Sequence, residues 1–415
     1  MYDPVVDRIS FDDGLPSTLA HLRAAAERIA PFIRRTPTIY SQTFSESSGL
    51  EVFLKLENLQ RTGSFKARGA LNKVLSLPKE MLTRGLVAAS AGNHAQGVAL
   101  AAKIAGAHAV IVMPRSTPII KVQRTESYGA EVVLHGDNYD ASQAHAVGIA
   151  KESGATLVHP FDDPWIVCGQ GTCGLEIVDE LEDIDAVVVP IGGGGLISGV
   201  ALAIKALSPR TRVIGVQAVG AAPMVHSFLA GKRQHVDSPM TIADGIRVGV
   251  VGDITFEVVR RYVDECVTVE EDEIVDAVLQ AMEKSKIVAE TGGVPGIAAI
   301  LAGKVKNAKR VLTIVSGGNI DLNLIARIVE NGLERAGRTH NVRLRTTDTP
   351  GQLVDILGVI AANQCNVLDI QHYRAGFKVP LGMVDIDILL ETRKAGAGLL
   401  VDEALRARGY DLRSS

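Results

Sequence analysis

The amino-acid sequence predicts an α/β fold with parallel-type sheets, followed by a small ferredoxin-like α+β unit. Three observations lead there. Short, continuously apolar runs alternate with helix-like segments through most of residues 1–330. Runs without polar alternation are strands buried on both faces, as in parallel sheets covered by helices. Near residue 331 the composition turns polar, and a compact strand-helix-strand-strand-helix pattern follows. A chain of 415 residues has room for two or three domains.

The elements follow in order. Leu86–Ala89 is a short apolar run, followed by SAGN and the helix-like GVALAAKIAG. Ala109–Met113 is a buried strand ended by Pro114, and Glu131–Leu134 is another, leading into a helical segment over 138–153. Ala186–Val189, Val213–Val216 and Val311–Val315 repeat the theme. Open sheets of this kind bind ligands in loops at the carboxyl ends of their strands. The loops after 89, 189 and 315 are therefore the ones to read for chemistry. NGLERAGRTH, residues 331–340, is polar, lacks apolar periodicity and reads as a linker. Beyond it Asn341–Arg345 alternates like a strand, and the turn TTDTPG leads into a helix over 351–363. In that helix Leu353, Ile356, Leu357 and Ile360 form an apolar stripe. Val367–Tyr373 and Met383–Leu390 are strands, Ala397–Arg408 is a helix, and there is room for a last strand.

Composition excludes several classes of function. Lys plus Arg number 43 against 47 Asp plus Glu, a formal charge of −4. That near balance rules out a broad nucleic-acid footprint. Aromatics are 4% with one tryptophan, which argues against stacking platforms for single strands. Cys168, Cys173, Cys266 and Cys365 form no C-x-x-C pair, so no zinc site is expected; four reduced thiols suit the cytoplasm. The acidic N-terminus MYDPVVDRIS lacks the apolar core of a signal peptide. Ala186 to Ile204 is 19 residues without a charge, long enough to span a bilayer. Pro190 and Gly192–Gly195 near its centre make a strand, a glycine turn and a helix the better assignment.

Four segments carry chemistry. In the first, Lys66 follows Ser64 and Phe65 at the start of an expected helix. Desolvated there, its amine would attack a carbonyl; alone, a lysine that opens a helix is more often a solvated surface residue. In the second, Ser90, Ala91, Gly92, Asn93 and His94 join a strand to a helix, where backbone N–H groups bind a carboxylate. A simple helix cap by Ser90 or Asn93 explains the segment as well. In the third, Gly192, Gly193, Gly194 and Gly195 precede Leu196 and a helix, which lets backbone approach a phosphate. It is neither a Walker loop nor a dinucleotide fingerprint, since the acid that fingerprint needs is here Gln217. A phosphate-bearing cofactor is favoured over a flexible turn. The fourth is Ser316-Gly317-Gly318-Asn319, which alone is only a polar turn after a strand.

Together KLENLQRTGSFKARGA, SAGNHAQGVAL, GGGGLISG and SGGN closely resemble the pyridoxal-phosphate enzymes of the tryptophan-synthase-β fold type, and within it the serine/threonine dehydratases. The resemblance covers residues 1–330. It implies a two-lobed fold type II catalytic domain, with a small lobe over 56–155 inserted in the large one. It implies that Lys66 forms the aldimine and that Gly192–Gly195 with Leu196 hold the cofactor phosphate. Asn93 would bind the phenolic oxygen, Ser316 the pyridine nitrogen, and Phe65 would lie against the ring. The 90–94 loop would hold the substrate carboxylate. The implied reaction is β-elimination of L-threonine to 2-oxobutanoate and ammonia, with L-serine as a further substrate. The role is either isoleucine biosynthesis or threonine catabolism. Relatives that racemise serine carry a second serine where this chain has Ala91, so elimination should dominate. They also hold a divalent ion with acids where this chain reads QAVGAAPM, so no such metal is expected. A serine dehydratase or serine racemase is the same-fold alternative; a catalytically silent amino-acid sensor is the alternative of another class.

The C-terminal unit, 341–415, resembles an ACT domain through Asp348, Pro350 and Gly351, with Asn366 before the next strand. That resemblance implies pairing with a second copy, in a homodimer or homotetramer. It also implies binding of an amino-acid effector, isoleucine or valine. No nucleic-acid or membrane partner is expected.

Overall fold

A computed structural model of the chain describes residue 11 and residues 14–374, 379–394 and 396–413. The N-terminal MYDPVVDRIS lies outside the described residues. The chain divides into two units, one ending at Asp321 and one beginning at Leu322.

In the first unit, β1 (Thr38–Tyr40) and β2 (Glu51–Leu56) come first. β3 (Leu86–Ala89), β4 (Ala109–Met113), β5 (Glu131–Leu134) and β6 (Thr156–Leu157) follow. β7 (Ala186–Pro190), β8 (Arg212–Ala218), β9 (Glu265–Val269) and β10 (Arg310–Val315) complete it. The larger sheet runs β1-β2-β10-β7-β8-β9 and the smaller β5-β4-β3-β6. All pairings are parallel except β1 on β2. These are two lobes, the smaller inserted between β2 and β7. Every residue of β7 and of β3 is buried, as the unbroken apolar runs require.

Helix Pro164–Glu180 begins where Asp163 Oδ1 accepts from Trp165 N at 2.8 Å and Ile166 N at 3.2 Å. It lies against helix Gly195–Leu207 at very short range. A Cβ on Gly171 would stand 2.8 Å from Gly199 O, and one on Gly199 would stand 2.4 Å from Gly171 N. Only glycine permits that approach. The uncharged stretch from Ala186 thus becomes β7, a glycine turn and a buried helix. No helix among the described residues is long and apolar enough to cross a membrane.

The second unit holds β11 (Thr339–Thr347), β12 (Asn366–Tyr373), β13 (Met383–Glu391) and β14 (Asp411–Leu412). The sheet order β12-β13-β11-β14, all antiparallel, is ferredoxin-like. Helices Gln352–Ala362 and Ala397–Ala407 bury Ile356, Ile360, Val401 and Leu405 against Leu344, Ile386 and Ile388. One expectation is corrected. Residues 331–340 are not a linker, because helix Leu322–Arg335 runs through the first half and β11 starts at Thr339. Gly332 is buried in that helix, so the glycines misled.

Candidate active site

Lys66 opens helix Lys66–Leu75, directly after a turn in which Thr62 and Gly63 take left-handed φ of 63° and 72°. The turn brings Phe65 N to Ser316 O at 3.1 Å and Gly318 N to Gly63 O at 2.9 Å. Lys66 Nζ donates to Pro160 O at 2.8 Å and stands 5.3 Å from the Phe65 ring. Burial lowers its amine to about 8, with Glu290 pulling the other way. An amine near 8 is about half free of its proton at pH 8, far more than an ordinary lysine, as a nucleophile or base requires.

Behind Lys66 sits a buried charge network. Arg68 grips Glu57 with two bonds of 2.8 Å and Glu176 with bonds of 2.7 and 2.9 Å. Lys55 Nζ reaches Glu176 at 2.8 Å and Glu180 at 2.9 Å. Arg68, Glu57 and Lys55 are fully buried. The network ties β2 and the Lys66 helix to helix Pro164–Glu180, and so fixes where the Lys66 backbone lies.

The SAGN and SGGN segments meet. Helix Asn93–Ala105 starts after Gly92 with no side-chain cap, which leaves its first N–H groups for an anion. Asn319 Nδ2 donates to Asn93 Oδ1 at 2.7 Å, and Asn93 Nδ2 donates to Glu290 Oε1 at 2.6 Å. Ser90 Oγ accepts from Gly92 N at 3.2 Å, which shapes the loop. Ala91 has no functional group. The His94 ring is engaged with backbone. It is buried, its Nε2 lies 2.9 Å from Val158 O, and burial lowers it to about 3. It is neutral at working pH, so only its backbone N–H can serve an anion. Ser316 Oγ donates to Gly292 O at 3.2 Å from the end of β10.

The glycine loop lies between β7 and helix Gly195–Leu207, with Gly194 at φ 98° and no side-chain cap on the helix. Its carbonyls are held from behind. Thr255 Oγ1 donates to Gly193 O at 2.7 Å and Gln217 Nε2 to Gly192 O at 3.3 Å. With the carbonyls anchored, the N–H groups of the loop and of Leu196 remain for a phosphate. A Cβ on Gly193 would stand 2.3 Å from the Phe161 ring. Phe161 follows Pro160, the partner of Lys66, so this turn links the lysine to the glycine loop.

The fold thus gathers all four segments chosen from sequence. It adds Glu290, the Pro160–Phe161 turn and Thr255, which sequence reasoning missed. The C-terminal residues are not gathered in the same way. Asp348 accepts from Arg374 Nε at 3.1 and 3.2 Å, and Gly351, at φ 99°, begins helix Gln352–Ala362. Asp348 adjoins Thr347, which pairs with Met383, whereas Asn366 pairs with Glu391 at the other end of β13. Eight strand steps at ~3.3 Å put them about 25 Å apart. Within one chain Asn366 therefore does not join the Asp348 turn.

The donor set fits a phosphorylated aldehyde cofactor. It has a buried amine of lowered proton affinity, an uncapped glycine-rich helix start, an amide and an uncharged hydroxyl. Residues 29–317 match the pyridoxal-phosphate dependent enzyme family. The chain is 46% identical over 396 residues to an L-threonine ammonia-lyase of Thermotoga maritima, covering 95% of this chain and 99% of that one. Among solved structures it resembles the processed form of threonine deaminase isoform 2 from Solanum lycopersicum, with 37% identity and a TM-score of 0.74 over 79% of this chain and 91% of that one. It also resembles maize serine racemase, with 38% identity and a TM-score of 0.72 over 76% and 98%.

Proposed function

The chain belongs to the pyridoxal-phosphate-dependent enzymes, and on that premise we propose that it is a threonine ammonia-lyase centred on Lys66. The observation that carries this is the Lys66 amine, buried and lowered to about 8 amid the four motif loops. Bound pyridoxal phosphate supplies an electron sink for the bond broken at Cα. The N–H groups of Gly192–Gly195 and Leu196 would hold its phosphate, Lys66 Nζ its aldehyde carbon and Asn93 Nδ2 its phenolic oxygen, with Phe65 beside its ring. The uncharged Ser316 Oγ, turned from Gly292 O, would serve its pyridine nitrogen, a weaker electron demand than a carboxylate would support, which favours elimination.

For the reaction, the N–H groups of Asn93 and His94, with the Ser90 hydroxyl that the Gly92 N–H orients, hold the carboxylate of L-threonine. Lys66 Nζ, as the free amine, takes the Cα proton. The β-hydroxyl leaves as water, its added proton balancing the one taken from Cα, and the released enamine tautomerises and takes up water to give 2-oxobutanoate and ammonia. Ala91 offers no acid or base on the opposite face, so a proton does not return there and racemisation is minor. L-Serine, which lacks only the methyl group, is a second substrate. The test is release of 2-oxo acid from L-threonine, L-serine and D-serine by the cofactor-loaded protein. Turnover is expected with the L-amino acids; a protein that only interconverted L- and D-serine would contradict the proposal.

The second unit supports a reading as an amino-acid-sensing module of the ACT type. Its βαββαβ order and the Asp348–Gly351 turn favour this. Isoleucine or valine is the expected effector, bound at that turn with the module paired to a second copy. Saturating isoleucine or valine is expected to shift the threonine KM of the full chain, and Asp348→Ala to abolish the shift.

A further inference from the structure

Glu290 takes no part in the steps above, yet its carboxyl is buried against the residue assigned to the phenolic oxygen. Its Oε1 accepts from Asn93 Nδ2 at 2.6 Å, and the residue is 6% exposed. The Asn93 amide is oriented from the other end. Thr62 O is a carbonyl and only accepts, so the Asn319 atom 2.6 Å from it is the nitrogen. That nitrogen also lies 2.7 Å from the Asn93 side chain, so the Asn93 atom there is the oxygen. The Asn93 nitrogen then faces Glu290 and keeps a second hydrogen free. Two glycines make room for the chain of bonds. A Cβ on Gly63 would stand 2.6 Å from Asn319 Oδ1, and one on Gly317 would stand 2.2 Å from Glu290 Oε1.

We propose that Glu290 and Asn319 are positioning residues, which lock the Asn93 amide as a hydrogen-bond donor available to the cofactor's phenolic oxygen. This rests on the assignment of Lys66 and Asn93 to the cofactor made above. An amide free to turn presents its carbonyl about as readily, and lone pairs then oppose lone pairs. A locked donor stabilises the charged form of that oxygen. The lock also responds to pH. Burial raises the Glu290 carboxyl to about 7, and Asp244 adds to the rise. Asn93, Lys121 and the Asn319 backbone N–H oppose it. Lys66 also feels the Glu290 charge, and Lys121 is itself paired with Asp244 at 2.7 Å. As pH falls through about 7, Glu290 takes a proton and becomes a weaker acceptor for Asn93.

The experiment is a pH titration of the cofactor-loaded protein, reading the ratio of its long- and short-wavelength cofactor absorbance bands. Wild type is expected to show a step near pH 7. Glu290→Gln keeps an acceptor of the same shape; it is expected to lose the step while cofactor affinity stays within about twofold. Asn319→Ala is expected to shift the ratio toward the uncharged form at every pH and to weaken cofactor binding about fivefold. A Glu290→Gln titration identical to wild type, or an unchanged Asn319→Ala spectrum, overturns the proposal. Should Asn319→Ala fail to fold, the Glu290→Gln titration decides alone. Failure of the underlying cofactor assignment looks different, because Lys66→Ala would then keep the visible band.

Discussion

Replacing Lys66 by alanine is expected to lower threonine turnover about a thousandfold or more while the protein stays folded. The substitution removes the group proposed both to hold the cofactor and to move the Cα proton. Loss of an acid–base group alone costs 10²–10⁴-fold in typical enzymes, and a group with two roles costs more. Stability should not suffer. The amine makes one bond, to Pro160 O, and its lowering to about 8 means that burial disfavours its charge. Removing it relieves that cost. Turnover and thermal melting measured side by side check both halves. Retention of a tenth of wild-type turnover would remove Lys66 from the mechanism.

The second large effect falls on stability. Arg68→Met is expected to destabilise the first unit by about 3–5 kcal/mol, or roughly 5–7 °C in melting temperature. Arg68 is fully buried and holds Glu57, also fully buried, with two bonds. Burial alone would raise the Glu57 carboxyl, but Arg68 outweighs it and holds the carboxyl below its ordinary value. Without Arg68 that charge is left with Thr36 Oγ1 and the field of Lys55. The penalty comes from the orphaned charge more than from the lost bonds. The double variant Arg68→Met with Glu57→Gln is therefore expected to recover part of the loss. Calorimetry on the single and double variants separates the two contributions; a double variant no better than the single would contradict this account.

The parts of the fold that were legible in sequence share a physical cause. Leu86–Ala89 and Ala186–Pro190 are buried throughout and apolar without interruption, Val311–Val315 is buried with Thr313 its one polar residue, and glycines follow each strand within three residues. The ligand loops follow from those strands by topology. β6, with two residues, and β9, reading ECVTV, carry too little apolar signal to be seen. Glu290 was illegible for another reason. A single acid in a loop looks like any solvated residue, and only folding shows that it is buried against Asn93, with Gly317 leaving it room. Asn366 shows the converse limit. A motif groups residues by order along the chain, but strand direction put Asn366 at the far end of β13 from the Asp348 turn.

The central claim is that Lys66 is the residue that holds the cofactor. Apo protein mixed with pyridoxal phosphate, reduced with borohydride and mapped by peptide mass spectrometry tests it directly. The account predicts the label on Lys66. It further predicts that the rate of attachment rises about tenfold from pH 7 to 9 and then levels, as an amine near 8 loses its proton. A label on another lysine, or a rate still climbing about tenfold per pH unit toward pH 10 as for an ordinary lysine, would contradict it.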